Sequence, residues 1–310
     1  MDALTFPSTT LAGDADLPVE TLAVESLAPT APIAVPAQIV TASLYRPTGC
    51  APAPAMVILS SSAGVQRHRE LHYAAALARA GIAACVVDSF RPRGVRSTVA
   101  DQGLVSAFQM ECDAHAVLLH LRQDPAIDPA RIGVMGVSKG GVAAVNSAIA
   151  ARRRWRGIDE TFALHVAICP GCVAQHRDPT TTGAPLFFML ARHDDYTPAR
   201  YAIDYAQRMR AAGNDAIRVK VYAAHHGWES VGSVYYIANA QNFADCPNLI
   251  EDDGSHFVAA AGQAMAEAQY RAWVRTAGLL RHGAHAGGGT ADLKRRATGD
   301  LIAFLQRNGF

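Results

Sequence analysis

Short, continuously apolar segments alternate with longer amphipathic ones through the middle of the chain. Apolar runs of about four to eight residues are typical of strands buried on both faces, and longer segments with an apolar stripe are typical of helices. The pattern predicts strands at 55–59, 82–87, 132–135, 162–169, 185–190 and 217–222, and helices at 70–80, 105–122, 140–151 and 198–212. This alternation predicts an α/β fold: a mostly parallel, doubly wound sheet with helices on both faces.

The N-terminal part of the chain departs from this alternation. Residues 1–18 mix Pro, Thr and Asp and predict a flexible lead-in. Residues 19–27 and 38–45 have the composition of strands and predict an antiparallel start to the sheet, at its edge. We therefore expect a single α/β domain over 19–310.

The C-terminal part departs from the alternation as well. Residues 228–253 are irregular and rich in aromatic residues and Asn, whereas 257–280 predicts a long helix. Three glycines at 287–289 predict a flexible break before an amphipathic closing helix at 291–306. We expect the segment at about 228–289 to be a cap-like insertion near a functional site.

One stretch carries the spacing of a nucleophile elbow. Gly136-Val137-Ser138-Lys139-Gly140 has the G-x-S-x-G pattern and lies between a predicted strand and a predicted helix. Such a turn is strained, so the residues two before and two after the serine must lack a bulky Cβ. It exposes the serine hydroxyl and directs the N–H of Lys139 at any oxyanion formed there. The second N–H donor is expected from Ser62 or Ala63, on the loop after the 55–59 strand.

A serine nucleophile needs a base, and the base needs a carboxylate that orients it. In this kind of fold the acid and then the base follow the serine, each after a strand. The sequence favours Asp194 over Asp195 as the acid, and His226 over His225 as the base. His193 precedes the acid, which is the wrong order. These His and Asp residues lack the spacing of metal ligands on a helix, so we expect no metal and no cofactor.

The composition argues against several classes of function. Half of the 310 residues are apolar, and the formal net charge is +1, with 28 Lys and Arg against 27 Asp and Glu. No basic stripe indicates nucleic acid, and no apolar run has the length of a membrane span. The six cysteines are scattered; Cys169 and Cys172 have C-x-x-C spacing, for which a redox role is the alternative to simple burial. With no secretory signal at Met1, these features favour a cytoplasmic setting.

From about residue 37 to 310 the chain resembles the dienelactone hydrolase family of α/β-hydrolases. Two departures are visible: Ser138 stands where the namesake enzymes have a cysteine nucleophile, and Ser60-Ser61 stands where many relatives have His-Gly. The resemblance rests on Tyr45-Arg46-Pro47, Asp88-Ser89-Phe90, Pro92-Arg93-Gly94, Gly136-Val137-Ser138-Lys139-Gly140-Gly141, Asp194-Asp195-Tyr196-Thr197-Pro198 and His225-His226-Gly227-Trp228.

The resemblance implies a serine hydrolase that cleaves a small carboxylic ester or lactone through an acyl-enzyme. It implies Ser138 as nucleophile, Asp194 as acid and His226 as base, with the N–H groups of Ser62 and Lys139 as oxyanion donors. A peptidase or amidase on the same triad is one alternative, although the chain has no room for a large gating domain. A non-catalytic binding protein of the same fold is the other. The oligomeric state does not follow from the sequence.

Four further residues are candidates for substrate binding. Arg93, or Arg91, lies near the position where family members contact an anionic substrate group, although pairing with Asp88 explains such an arginine equally well. The others stand near the candidate acid and base: Tyr196, Trp228 and Tyr235. Tyr235 and Tyr236 either line the pocket as part of a cap or pack on the edge of the sheet.

Overall fold

The centre of the structure is an eight-stranded, mostly parallel sheet. The computed structural model describes residues 17–49 and 52–310. Its strands are β1 (Val19–Glu25), β2 (Ile39–Tyr45), β3 (Ala53–Leu59), β4 (Ala83–Asp88), β5 (Ile127–Val137), β6 (His165–Ile168), β7 (Ala174–His176), β8 (Leu186–Ala191), β9 (Ile217–Tyr222), β10 (Val234–Asn242), β11 (Asn248–Ile250), β12 (His256–Val258), β13 (Gln263–Met265) and β14 (Arg281–Gly287). Its helices are α1 (His72–Arg79), α2 (Ala107–Leu121), α3 (Lys139–Ser147), α4 (Arg152–Arg156), α5 (Ala199–Ala211), α6 (Glu267–Thr276) and α7 (Ala291–Arg307).

The strand order of the main sheet is β1-β2-β4-β3-β5-β6-β8-β9. Strand β2 is antiparallel to both β1 and β4, and every later pair is parallel. The predicted α/β class and the antiparallel start are therefore confirmed, except that β2 lies inside the sheet rather than at its edge. In this register Gly136 pairs with Leu59 and Ala167, so the loops after these strands emerge at the same edge of the sheet.

Both faces of the sheet are covered, as a doubly wound fold requires. Successive residues of β3 point to opposite faces, and all are buried. Val57 and Leu59 pack with α2 and α3, whereas Met56 and Ile58 pack with α1 and α7. Helix α5 packs against β8 in a third apolar cluster with Phe188. This continuous burial explains why central strands such as β3, β4 and β8 contain apolar runs rather than alternating patterns.

The segment predicted to be irregular and then helical contains mostly strands. Strands β11, β12 and β13 join β7 in a second sheet of order β13-β12-β11-β7, and β10 pairs with β14 as an antiparallel ribbon. Helix α6 covers only the last part of the predicted 257–280 helix. Three alanines precede Gly262, which adopts φ +65° and ends a short 3₁₀ turn. Alanine favours a helix, but the pairing of β12 with both of its neighbours overrides that preference here.

The three glycines at 287–289 make close contacts, in place of the predicted flexible break. A Cβ on Gly289 would lie 1.7 Å from the carbonyl oxygen of Trp228. The N–H of Gly287 donates to the carbonyl of His226 at 2.8 Å. The run therefore lets the end of β14 lie directly against the loop that carries His226, and only glycine permits backbones to approach that closely.

Two further predictions concern the N-terminal lead-in and the absence of a membrane-spanning segment. Residues 1–16 of the predicted lead-in, and Cys50, lie outside the described residues. Within residues 17–49 and 52–310, no helix has both the length and the apolar character needed to cross a membrane.

Candidate active site

Ser138 occupies a sharp turn between β5 and α3. Its backbone adopts φ 54° and ψ −112°, a region that residues with a side chain rarely enter. The turn is tight because a Cβ on Gly136 would lie 2.2 Å from Gly140, and one on Gly140 would lie 2.5 Å from the carbonyl oxygen of Leu59. The two glycines are therefore a steric requirement of this strand-to-helix turn, as the spacing predicted.

His226 lies within hydrogen-bond distance of the serine. Its Nε2 is 3.1 Å from Ser138 Oγ, and its Nδ1 is 2.8 Å from Asp194 Oδ2. His226 follows β9 and Asp194 follows β8, so the parallel pairing of these strands brings the two loops together. The structure thus joins Ser138, His226 and Asp194 in one buried hydrogen-bonded chain.

The neighbouring Asp and His residues have other partners. Asp195 accepts the N–H of His285 through Oδ1 at 2.9 Å and contacts His285 Nδ1 through Oδ2 at 2.7 Å. That pair is half exposed and ties β14 to the loop of the acid. The ring of His225 lies 5.5 Å from that of His193, away from the Ser138 contact. Only Asp194 and His226 therefore have the relay geometry of an acid and a base.

Buried donors surround the Asp194 carboxylate. Oδ1 accepts the backbone N–H of Tyr196 at 2.9 Å and of Thr197 at 2.7 Å. Burial by itself would raise the pKa of the Asp194 carboxyl, but the charge and hydrogen bond of His226 and the donors of Thr197 hold that pKa below its usual range. The carboxylate is therefore ionised and oriented, as a group that supports an imidazolium must be.

Thr197 is a site residue that sequence reasoning missed. Its hydroxyl lies 2.8 Å from Asp194 Oδ2, 3.1 Å from His226 Nδ1 and 3.0 Å from the carbonyl oxygen of Cys169. Cys169, which supplies this carbonyl, adopts φ 44°, a region that residues with a side chain rarely enter. Two sequence signals pointed to Thr197: its place three residues after Asp194, and its place in the segment from Asp194 to Pro198 that carries the family resemblance.

The loop after β3 faces the elbow. Within this loop the N–H of Ser61 donates to Glu70 Oε1 at 3.2 Å, and that of Ala63 donates to Ser61 Oγ at 3.1 Å. Ala63 N–H is thus already engaged, which favours Ser62 among the two candidate donors. Lys139 opens α3, and the first N–H groups of a helix have no partner within the helix.

Gln102 joins the parts of the site. Its Nε2 donates to the Tyr196 hydroxyl at 2.9 Å, and its Oε1 accepts the Ser62 hydroxyl at 2.9 Å. Its backbone N–H donates to Gln241 Oε1 at 2.8 Å, and its carbonyl accepts Lys139 Nζ at 2.8 Å. Gln102, on the loop after β4, therefore connects the elbow, the Ser62 loop and the 228–289 segment.

The Lys139 side chain is buried beside this loop. Its Nζ also donates to Thr98 Oγ1 at 3.0 Å and to the carbonyl of Val105 at 2.6 Å. Three donated bonds suit an ammonium group, although burial lowers the pKa of Lys139 to about 7. The side chain thus anchors the loop, while the backbone N–H of the same residue remains at the elbow.

A cavity of about 230 Å³ opens beside Ser138. Its walls are largely apolar, and Ser62, Lys139 and Tyr196 border it with the serine. The segment 228–289 supplies one wall, and the connection between β1 and β2 supplies Ile33 at another point. Members of the 228–289 wall are Gln241, Phe243, Ala244, Ile250, Gly254, His256, Glu267, Tyr270 and Arg271.

Three of the four predicted substrate-binding residues do not line this cavity. Arg93 binds Asp113 with contacts of 2.7 and 2.8 Å and donates to the carbonyl of Ser89, so its guanidinium is used within the fold. Trp228 is fully buried in the core that contains α1 and α7. Tyr235 packs over Gly287 on the ribbon. Tyr196 does line the cavity, with its ring 5.1 Å from that of His226.

The described cysteines are buried free thiols. Among the described residues, one group has ligand-type atoms close enough for a metal ion: Cys169, Asp194 and His226, within 4.8 Å of one another. Asp194 Oδ2 and His226 Nδ1 already face each other across a hydrogen bond, which is the geometry of an acid and its base. Burial raises the pKa of the Cys172 thiol, so this thiol at the cavity wall is a poor nucleophile.

The sheet order and the elbow define the class of protein: the chain has the α/β-hydrolase fold. It belongs to the dienelactone hydrolase family, which matches residues 40–282. The chain is accordingly a hydrolase by family, and the predicted resemblance is confirmed.

Solved structures with this fold include two archaeal esterases. The chain is 14% identical to an esterase from Pyrococcus furiosus, with a TM-score of 0.51 over 71% of this chain and 88% of that one. It is 18% identical to a hyperthermophilic esterase from Pyrobaculum calidifontis, with a TM-score of 0.50 over 69% and 80%. At these identities the likeness shows the fold alone. None of the curated proteins matches the chain significantly.

The two aspartates should differ sharply in a side-by-side assay. Asp194→Asn removes the carboxylate that faces His226, and we expect kcat for an activated ester to fall by about 10⁴-fold. Asp195→Asn disturbs only the half-exposed contact with His285 and should cost less than about tenfold. Circular dichroism checks that both variants fold. A larger loss for Asp195→Asn would transfer the role of acid to Asp195.

The Thr197 hydroxyl should set the pH dependence of hydrolysis. In Thr197→Val the Asp194 carboxylate loses one donor, so it holds a protonated imidazole more strongly. The acid limb of the kcat/KM profile should therefore move to higher pH, by about half a unit. Thr197→Ser retains the hydroxyl and is the matched control. Identical profiles for the Val and Ser variants would contradict a role for this hydroxyl.

Proposed function

We propose that the protein is a serine hydrolase that cleaves carboxylic esters or lactones. The observation that carries the proposal is the hydrogen-bonded chain Ser138–His226–Asp194 at a strained elbow beside an apolar cavity. The family supplies the general class of reaction, and the serine at the elbow supplies the nucleophile.

Acylation begins at the serine hydroxyl. His226 Nε2 accepts the proton of Ser138 Oγ as this oxygen attacks the carbonyl carbon of the ester. Asp194 stabilises the imidazolium through Nδ1, and His226 then gives the proton to the oxygen of the departing alcohol. A water molecule, activated by the same histidine, attacks the acyl-enzyme and releases the acid.

The tetrahedral intermediate carries a negative charge on the former carbonyl oxygen. The backbone N–H groups of Lys139 and Ser62 serve as its donors in this proposal, supported by the position of Lys139 at the start of α3. Preorganised donors of this kind contribute roughly 10²–10³-fold each to kcat in other acyl-transfer enzymes.

The cavity indicates a small substrate with an apolar body. Its wall also carries two arginines, Arg152 and Arg271, and each is paired with a glutamate, Glu111 and Glu267 respectively. Arg152 is buried between the rings of Phe108 and Trp155, with its carbon Cζ 4.8 and 4.6 Å from their centres. Arg271 is paired with Glu267 at 2.6 Å on α6. We propose that the 228–289 segment acts as a cap and selects the substrate, because it forms a large part of this wall.

The nucleophile assignment has a direct test. Ser138→Ala should fold normally, lower kcat by about 10⁴-fold or more and abolish labelling by a fluorophosphonate probe. Ser147→Ala, which removes a buried hydroxyl at the far end of α3, is the matched control and should be labelled like the wild type. A wild-type protein that is neither labelled nor active on p-nitrophenyl esters or lactones would instead be a binding protein. Labelling with activity on amides alone would favour an amidase.

The cap assignment predicts a contrast between two aromatic residues of the same segment. Phe243→Ala enlarges the cavity, so the ratio of kcat/KM for p-nitrophenyl octanoate over acetate should rise by about tenfold. Tyr236, 57% exposed on the β10–β14 ribbon, lies off the cavity, and Tyr236→Ala should leave the ratio within about twofold of wild type. Equal slowing of both esters by Phe243→Ala would show that the segment has only a structural role.

A further inference from the structure

A buried ion pair lies behind the loop that carries Ser62. Arg69 Nε donates to Glu70 Oε1 at 2.8 Å, and the side chains of the two residues are 10% and 0% exposed. Both belong to the π-helical turn Arg67–Leu71 that precedes α1. A buried pair of charges is costly unless further hydrogen bonds satisfy both groups.

The further hydrogen bonds of this pair go to the Ser61–Gly64 loop and its continuation. Glu70 accepts the N–H of Ser61 at 3.2 Å and that of Gln66 at 2.8 Å. Arg69 Nη2 donates to Ser61 Oγ at 2.5 Å and to the carbonyl of Gly64 at 3.4 Å. The pair therefore holds the loop through both backbone and side-chain atoms, on either side of Ser62.

Ser61 passes this restraint along the loop. Its hydroxyl oxygen accepts hydrogen bonds from the N–H of Ala63 and from Arg69 Nη2. Its carbonyl accepts the N–H of Gly64 at 2.9 Å. The N–H of Ser61 is thus directed at Glu70 and those of Ala63 and Gly64 at Ser61, and Ser62 lies between these residues at the border of the cavity.

A second glutamate near the pair has a different hydrogen-bond partner. Glu229, three residues after His226, accepts the Tyr73 hydroxyl at 2.9 Å and is fully buried. Burial raises the pKa of the Glu229 carboxyl above its usual range, although the nearby Arg69 charge opposes this. Arg69 donates hydrogen bonds to Glu70 and to the Ser61–Gly64 loop, whereas Glu229 is bonded to Tyr73.

We propose that Arg69 and Glu70 are positioning residues, which hold the Ser61–Gly64 loop so that the Ser62 N–H faces the oxyanion of the transition state. The inference rests on the proposed function, because it assigns a role in the same acylation step. Neither side chain touches the reacting atoms. Their effect is on the direction of one N–H, and a small displacement of such a donor is enough to weaken it.

The chain offers a matched control for this pair. Arg93 and Asp113 form another buried ion pair, with side chains 9% and 0% exposed, and the hydrogen bonds of Arg93 go to Asp113 and to Ser89. Arg69→Met and Arg93→Met each leave one buried carboxylate without its arginine. Both should therefore lose thermal stability, but only Arg69→Met should disturb the oxyanion donor.

The readouts separate positioning from stability. Kinetics of p-nitrophenyl acetate hydrolysis are expressed per active serine, counted by end-point titration with a fluorophosphonate. For Arg69→Met we expect kcat to fall by roughly 10- to 100-fold, with KM within about twofold of wild type. The affinity for phenylboronic acid, which forms a tetrahedral anion on the serine, should fall by a similar factor. Arg93→Met should keep both values within about twofold of wild type per active serine.

A milder pair of variants decides the question if Arg69→Met does not fold. Ser61→Ala removes the hydroxyl that links Arg69 to Ala63 and should lower kcat and boronate affinity by about tenfold. Ser60→Ala, its neighbour, should leave both unchanged. If Ser61→Ala and any folded Arg69→Met keep wild-type kcat and boronate affinity per active serine, the pair is only structural and the inference is wrong. A wild type that lacks the reactive serine would overturn the proposed function itself.

Discussion

The close approach of backbone at the β5–α3 turn is the constraint on which the rest of the site depends. Gly136 and Gly140 leave no space for a Cβ, and Ser138 is held at a positive φ between them. The strain is sustained because β5 is paired on both sides and α3 is buried against the sheet. The result is a serine whose position is set by a strand paired on both sides and by a buried helix. The loops that carry the proposed base, the proposed acid and the proposed second N–H donor therefore converge on one fixed point.

Those loops are held by buried polar contacts. Asp194 accepts N–H and O–H donors from its own loop, and these bonds orient its carboxylate toward the imidazole of His226. The Ser62 loop is bonded to the Arg69–Glu70 pair. Such charged groups stabilise little on balance, since burial costs almost as much as their attraction returns. These buried charged groups fix the geometry of the loops, because each group has one arrangement in which all of its hydrogen-bond partners are satisfied.

The 228–289 segment is bound to the same loops that form the site. The N–H of Gly287 donates to the carbonyl of His226, and Asp195 holds His285. Asn242 Nδ2 donates to the carbonyl of Asp195 at 3.0 Å, and the side chain of Gln241 accepts from Gln102. The wall of the cavity and the loops of the acid and the base therefore share hydrogen bonds.

The local sequence was sufficient to predict those elements whose structure depends on residues close together in the chain. The apolar runs predicted the central strands of the sheet, because a strand buried on both faces favours apolar residues at successive positions. The glycine spacing predicted the elbow, since the steric conflict lies within five residues of chain. The order of Ser138, Asp194 and His226, each after a strand, predicted that these three residues form one site. Parallel strands end at one edge of the sheet, so residues far apart in the chain meet there.

Contacts between distant segments decided the rest. Adjacent residues such as Asp194 and Asp195 have the same chemistry, and only the position of His226 and His285 assigns them different partners. Arg93 has its partner in Asp113 of α2, which no spacing rule relates to it. Alanine-rich residues 259–261 precede a strand instead of continuing a helix, because β12 finds partners in β11 and β13. Pairing and burial at long range outweigh local preference, and they exist only once the chain is folded.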